Sequence, residues 1–308
     1  MRWYQQALSI LLCAVIVIST LLMLTALFMR NLIFNEGFYL DVISSPAYQP
    51  LVRSAIVTDL DRQSSYVGIP LEVLTDGLDE TMVYMKQRQH VANIVAFLNF
   101  RADYVSPEFS AETFTAALRL FIEDYAAANN LEVTSDQLEQ LEEVAEDAAL
   151  IVQNHVTLLD LSQIKNSGAF QRVHLLIYNL SHRLAYAFLF WAAALICLIF
   201  LHVRSWRTWL NRSLISLWLA GSLLLVPTIV LDRFALHQRL AIDTPYLQYA
   251  VRALLQAIIH FYMIWGAALF GLASLALIIL FFTNSTDRSS KPDKSRMPDR
   301  TRESRSAV

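Results

Sequence analysis

The sequence predicts an all-α membrane protein: four transmembrane helices, with an extracytoplasmic antiparallel helical bundle inserted after the first. Three observations lead there. Four apolar runs are each long enough to cross a bilayer. Between the first and second lies a polar, acidic stretch of about 150 residues, enough to build its own core. Within it the apolar residues recur at helical spacing, and no run alternates with period two for long enough to argue a sheet.

The first run, Ala7 to Met29, is "ALSILLCAVIVISTLLMLTALFM", with no charge and no proline. About 20 apolar residues span a bilayer, so this run does. No small-residue cleavage site follows it, and Leu12 in "SILLC" occupies the position where a lipoprotein cleavage box needs a small residue. Residues 1–30 are therefore expected to be an uncleaved anchor.

The segment 31–182 reads as helices. Phe114, Ala117, Leu118, Phe121 and Tyr125 fall on one helical face, and Ser106 with Pro107 is expected to start that helix. Asn129-Asn130 is its expected stop. Thr134 and Gln137 have capping-box spacing, and Leu138, Leu141, Ala145, Ala148 and Val152 follow as the apolar stripe of the next helix. Further helices are expected over Gln49–Asp61, Pro70–Leu74 and Leu78–Asn99. A last one, about 169–182, is expected to run on into the second span.

Residues 183–283 hold the other three spans, at about 184–201, 214–231 and 258–282. Pro227 should kink the third. Ser216 with Ala220, and Ala267 with Gly271, have the small-xxx-small spacing that lets helices approach closely. The tail 284–308 is rich in Ser, Arg, Asp and Pro and cannot bury enough surface to fold. It is expected to be a disordered basic cytoplasmic tail.

Charge sets the orientation. Residues 31–182 carry 21 Asp/Glu and 8 Lys/Arg, a net of −13; the rest of the chain carries 6 and 16, a net of +10. Arg204, Arg207 and Arg212 between spans two and three, and the basic tail, belong in the cytoplasm by the positive-inside rule. Both termini are then cytoplasmic in a multi-pass protein of the cell membrane, and 31–182 lies outside. Arg30, Arg183, Arg233, Arg239 and Arg252 sit at the outer boundary, against the rule.

The composition excludes several chemistries. The two cysteines, Cys13 and Cys197, lie in apolar runs, so no disulfide framework holds the acidic segment. No P-loop, dinucleotide turn, HExxH, CxxC or GxSxG motif occurs. None of the seven histidines pairs with another at metal-site spacing on a helix. No cofactor, no metal and no catalytic residue is expected. An acidic domain also disfavours nucleic acid as a partner. The acidic face Glu139–Asp147 lacks the ligand-bearing loop of an EF-hand and reads as a solvated helix face.

One polar pattern stands out. Arg252, Gln256 and His260 recur every four residues into the fourth run, and His174, Tyr178, His182 and Tyr186 do so into the second. Were these helices neighbours, His182, Tyr186, Arg252, Gln256 and His260 would form a candidate ligand-binding cluster at the outer leaflet, with Asp232, Arg233 and His237 at similar depth. Interfacial anchoring by amphipathic side chains is the simpler account.

The stretches "FNEGFYLDVISSPAYQPLVRSAI" and "GIPLEVL", and a helix ending "VANIVAFLNF", resemble a group of uncharacterised bacterial four-span integral membrane proteins with a helical extracytoplasmic domain after the first span. The likeness covers roughly residues 1–200 and implies no activity. A single outer sequon, Asn179-Leu180-Ser181, fits a bacterial origin. The order of elements also resembles permeases of ABC exporters, but the cytoplasmic loop between spans two and three is short for coupling to an ATPase. It resembles chemoreceptor-type sensors too, without an output module. The leading expectation is interaction, sensing or envelope-associated work, with the bilayer and a membrane or envelope protein as partners. The alternative is a membrane-embedded transferase or hydrolase, or a transporter-like ligand binder, using the outer-leaflet cluster. The oligomeric state is left open.

Overall fold

Among the described residues, four helices are long and apolar enough to cross a membrane: Trp3–Ile33, Leu184–Leu201, Trp206–Arg233 and Pro245–Thr283. They belong to a computed structural model that describes residues 2–162, 164–203, 205–235 and 240–289. It is all-α, with no strand among the described residues. In order come α1 (Arg2–Phe28), a π-helical turn (Met29–Ile33), α2 (Glu36–Ile43), α3 (Tyr48–Val67), α4 (Leu71–Asp76), α5 (Glu80–Leu98), α6 (Glu112–Asn129), α7 (Ser135–Val156), α8 (Gly168–His182), α9 (Leu184–Leu201), α10 (Trp206–Arg233) and α11 (Pro245–Ser289). The helix of α11 thus covers residues 284–289 of the tail; the rest of the tail, like Arg204, lies outside the described residues. The chain divides into two units. Among the described residues, one unit draws on 22–188 and 226–263, the other on 2–21, 189–225 and 264–289.

In the first unit, caps set the helix starts. The Asn35 side chain accepts from Gly37 N–H, and Asp79 accepts from Thr81 and Met82 N–H. Thr134 and Gln137 form the complete capping box of α7. These satisfy amides that have no partner inside a helix. One core gathers the buried stripes: Tyr48, Val52, Ile56 and Leu60 of α3, Phe114 and Leu118 of α6, and Leu141, Ala145, Ala148 and Val152 of α7. Helix α7 packs against α3, α5 and α6.

Two expectations are corrected here. The helix expected to begin at Pro107 begins at Glu112. Tyr104 and Phe109 are buried instead, and the Phe109 N–H donates to Gln153 Oε1 at 3.3 Å, so the irregular chain delivers two rings inward. Helix α8 does not run unbroken into the second span. It stops at Arg183, whose N–H returns to the Asn179 carbonyl, before α9 resumes. The helix that carries Arg252, Gln256 and His260 into the fourth span starts at Pro245, and its first turns, with Tyr246, Leu247, Tyr249 and Ala250, pack into the core. The Tyr249 and Ser45 hydroxyls are 2.9 Å apart.

In the second unit, Ile16 packs with Ala194 and Leu198 beside Trp191 and Trp209. Ser213 and Ser216 donate to the carbonyls one turn back, at Trp209 and Arg212, which satisfies hydroxyls on apolar helices. The close approach of α10 and α11 uses Gly221 and Gly266. A Cβ on Gly221 would lie 2.6 Å from Phe270 N, and one on Gly266 2.9 Å from Leu225 N. Gly271, expected at a contact, faces open space; Ser216 and Ala220 are buried.

Candidate functional site

Helix α8 packs on the π-helical turn that ends the first span. The two stripe histidines nearest that junction are used on backbone groups. His174 Nε2–H donates to the Leu98 carbonyl at 2.8 Å while its ring stacks on Phe100 at 4.0 Å. His182 Nδ1–H donates to the Tyr178 carbonyl at 3.0 Å, its ring stacks on Tyr178 at 4.0 Å, and Phe34 stands edge-on at 6.2 Å. Tyr186 is exposed, with the Arg183 guanidinium 6.0 Å from its ring centroid. The structure thus gathers His174, Tyr178 and His182 with Phe34 and Phe100 into an aromatic ladder. On α11, Arg252 is half-buried, whereas Gln256 and His260 are exposed on the same face. Asp232 and Arg233 are exposed at the end of α10, and His237 lies outside the described residues. No group of three or more metal-ligating side chains is found among the described residues.

A different polar cluster escaped the sequence reading. His155, in the last turn of α7, is buried. Its Nε2 lies 2.9 Å from Asp59 Oδ2 on α3, and its Nδ1 lies 3.0 Å from the Tyr246 hydroxyl on α11. A neutral imidazole fits both contacts: Nε2–H donates to the carboxylate, and Nδ1 accepts the tyrosine O–H. Asp59 Oδ1 also accepts from Arg62 at 3.1 Å. Arg62, Gln63, Tyr66 and Asn154 line an open cleft over this chain of bonds.

Carboxylate, imidazole and hydroxyl in sequence have the order of a proton relay. The terminal hydroxyl belongs to Tyr246, which is buried against Tyr48 and His155, and all three members of the chain contribute to the wall of that cleft. The bonds tie three helices, α3, α7 and α11, at one imidazole. A signal for it existed: the α7 stripe 141, 145, 148, 152 continues to 155, so an imidazole on a core face needed a partner. Asp59 follows Val52 and Ile56 on α3 in the same way.

Comparison of the chain with protein-family models, with curated proteins and with solved structures finds no match. The functional reading rests on the residues themselves.

Proposed function

We propose that this chain displays the acidic helical domain 31–182 outside a bacterial cell on a base of four membrane spans, and acts by interaction, in sensing or envelope-associated work, rather than by catalysis. The observation that carries the reading is the way the core around α3 and α7 is closed by Tyr246 and Tyr249. These residues open the same helix whose later turns form the fourth apolar span. A domain with its own water-facing charge and core is thereby tied by sequence to long apolar helices. The net of −13 on 31–182 against +10 elsewhere supports placing it on the outer side, with both termini in the cytoplasm. His182, Tyr186, Arg252, Gln256 and His260 then serve as interfacial residues that meet headgroups. Their amphipathic side chains and the exposure of all but Arg252 suit that role.

The test is a membrane-impermeant maleimide applied to intact cells carrying Glu139→Cys. Labelling before lysis supports the orientation. Labelling only after lysis, together with an outward reporter fused after Val308, inverts it. Cross-linking through the domain in cells should capture a membrane or envelope protein. Single replacement of His182, Gln256 or His260 by Ala should leave the captured set unchanged.

A further inference from the structure

We infer that α8 is an interfacial helix whose outer face seats in the headgroup layer of an anionic phospholipid leaflet, an inference that rests on the four-span reading above. The charge pattern changes abruptly at its doorstep. Residues 31–160 hold all 21 carboxylates of the acidic segment, and none follows from Leu161 until Asp232. Within that acid-free stretch Lys165, Arg172 and Arg183 surround α8.

The exposed face of α8 is apolar between the arginines. Val173, Leu175 and Leu176 are 56%, 52% and 66% exposed, in a helix whose opposite side is occupied by Phe170 and His174 against Phe97. Arg172 and Arg183 are 11 residues apart, about 16 Å and three turns along a helix, and so fall on one line with Leu175 and Leu176 between them. Leucines flanked by arginines, with no carboxylate on the helix, are the pattern of a helix lying in a bilayer interface rather than in water. The acidic face of α7 shows what a water-facing helix of this chain carries instead.

Chain continuity supplies the position. Helix α8 packs on the π-helical turn that completes the first candidate span, with Phe34 edge-on to Tyr178 and His182, and α9, the second, begins at Leu184. Arg30, on that turn, is exposed. Arg30, Arg172 and Arg183 thus lie where headgroup phosphates would be, and guanidinium groups bind phosphate through paired N–H donors. This also accounts for arginines at a boundary where the positive-inside rule does not ask for them.

The experiment uses the full chain with Cys13 and Cys197 replaced by Ser, in nanodiscs of phosphatidylcholine alone or with phosphatidylglycerol at about 7:3. An environment-sensitive fluorophore is placed at Leu176→Cys, with Glu139→Cys as the water-exposed reference. At 176, emission should be blue-shifted and quenched at least about twofold by lipid carrying a shallow nitroxide, with little quenching by iodide. Arg30→Gln/Arg172→Gln/Arg183→Gln should lower the phosphatidylglycerol-to-phosphatidylcholine ratio retained on purification by about twofold or more, and the triple Lys variant should restore much of it. Iodide quenching at 176 equal to that at 139, in a protein that stays in the membrane after alkaline carbonate, overturns the seating of α8 and leaves the four spans standing. An acidic protein partner for this face would give that same result. Release of the protein by carbonate overturns both readings. An unchanged lipid ratio in the Gln variant overturns the phosphate contacts.

Discussion

The Tyr246 hydroxyl lies 3.0 Å from His155 Nδ1, and through it the first turn of α11 is fastened to the last turn of α7. Asp59 completes the bond on the other ring nitrogen at 2.9 Å. Three helices far apart in sequence meet at one imidazole. The position of α11 in the core thus depends on a polar contact as well as on apolar packing around Tyr48 and Tyr249.

Removing only the hydroxyl separates these contributions. Tyr246→Phe leaves a buried imidazole nitrogen without its donor and should cost about 1–3 kcal/mol. Tyr246→Ala also empties an aromatic site and should cost about 3–5 kcal/mol. Thermal unfolding of the full chain in detergent should rank wild type above Phe above Ala. A Phe variant as stable as wild type would reduce the bond to an incidental contact.

His90 makes the opposite case. It is fully buried on α5, and neither ring nitrogen reaches a hydrogen-bond partner. Burial lowers its pKa from the usual 6.5, partly offset by the Leu159 carbonyl and the Asp160 carboxylate nearby. The folded state holds the imidazole neutral while the unfolded chain takes up a proton. Stability from this group is therefore present above pH 6.5 and lost as pH falls below it. His90→Leu should leave stability at pH 8 unchanged or higher, since an unpartnered polar group is replaced by an apolar one. Between pH 6.5 and 5 the variant should lose less than wild type. Parallel acid profiles for the two proteins would remove His90 from the account.

These two histidines show how far the sequence could be read. Local signals were sufficient where helix ends and stripes agreed. The capping box at Thr134 and Gln137 and the stripe through Leu141, Ala145 and Val152 predicted α7 closely. Four apolar runs were legible because hydropathy over 18 or more residues is a strong signal. What failed depended on tertiary contacts. Ser106-Pro107 looked like a helix start, but burying Tyr104 and Phe109 won over local propensity. The four-residue period of Arg252, Gln256 and His260 marked a helix, but nothing local showed that its first turns, through Tyr246 and Tyr249, enter the core. Small-residue spacing pointed to Gly271, whereas the contact falls on Gly221 and Gly266. Spacing gives a period and leaves the rotational phase of the helix open. The tie from His155 to Tyr246 joins residues 91 apart in sequence, and no local pattern encodes such a pair.

At the alkaline end two tyrosines set a second window. Burial pushes Tyr39 up to about 12, and burial followed by the neighbouring Tyr246 raises Tyr48 as well. Unfolded tyrosines ionise near pH 10, while the folded protein keeps these two protonated. Their contribution is thus complete below about pH 10 and lost as pH rises towards 12. Tyrosinate absorbance should show a late-titrating fraction that appears together with loss of helix. Tyr48→Phe removes a buried hydroxyl that has no partner and should be neutral or stabilising at pH 8. It should also reduce the late fraction. An early, complete titration near pH 10 with helicity intact would contradict the burial of both rings.

The contact at Gly221 gives the sharpest steric test in the apolar helices. A methyl group there would meet backbone, at 2.6 Å from Phe270 N and 3.0 Å from Gly266 O, so no side-chain rotation relieves it. The helices must separate locally, loosening the contact between Trp218 and Phe270, whose rings are 5.3 Å apart. Gly221→Ala should therefore cost about 1–3 kcal/mol, as overpacked interiors do. Helix propensity alone would favour alanine over glycine by about 1 kcal/mol, so the observed loss is net of that gain. Gly271→Ala receives the same gain with no clash, because nothing lies within 4 Å of the added methyl. Thermal unfolding in a mild detergent should put Gly271→Ala at or above wild type and Gly221→Ala below it. Equal melting of the two variants would mean that α10 and α11 do not approach at Gly221.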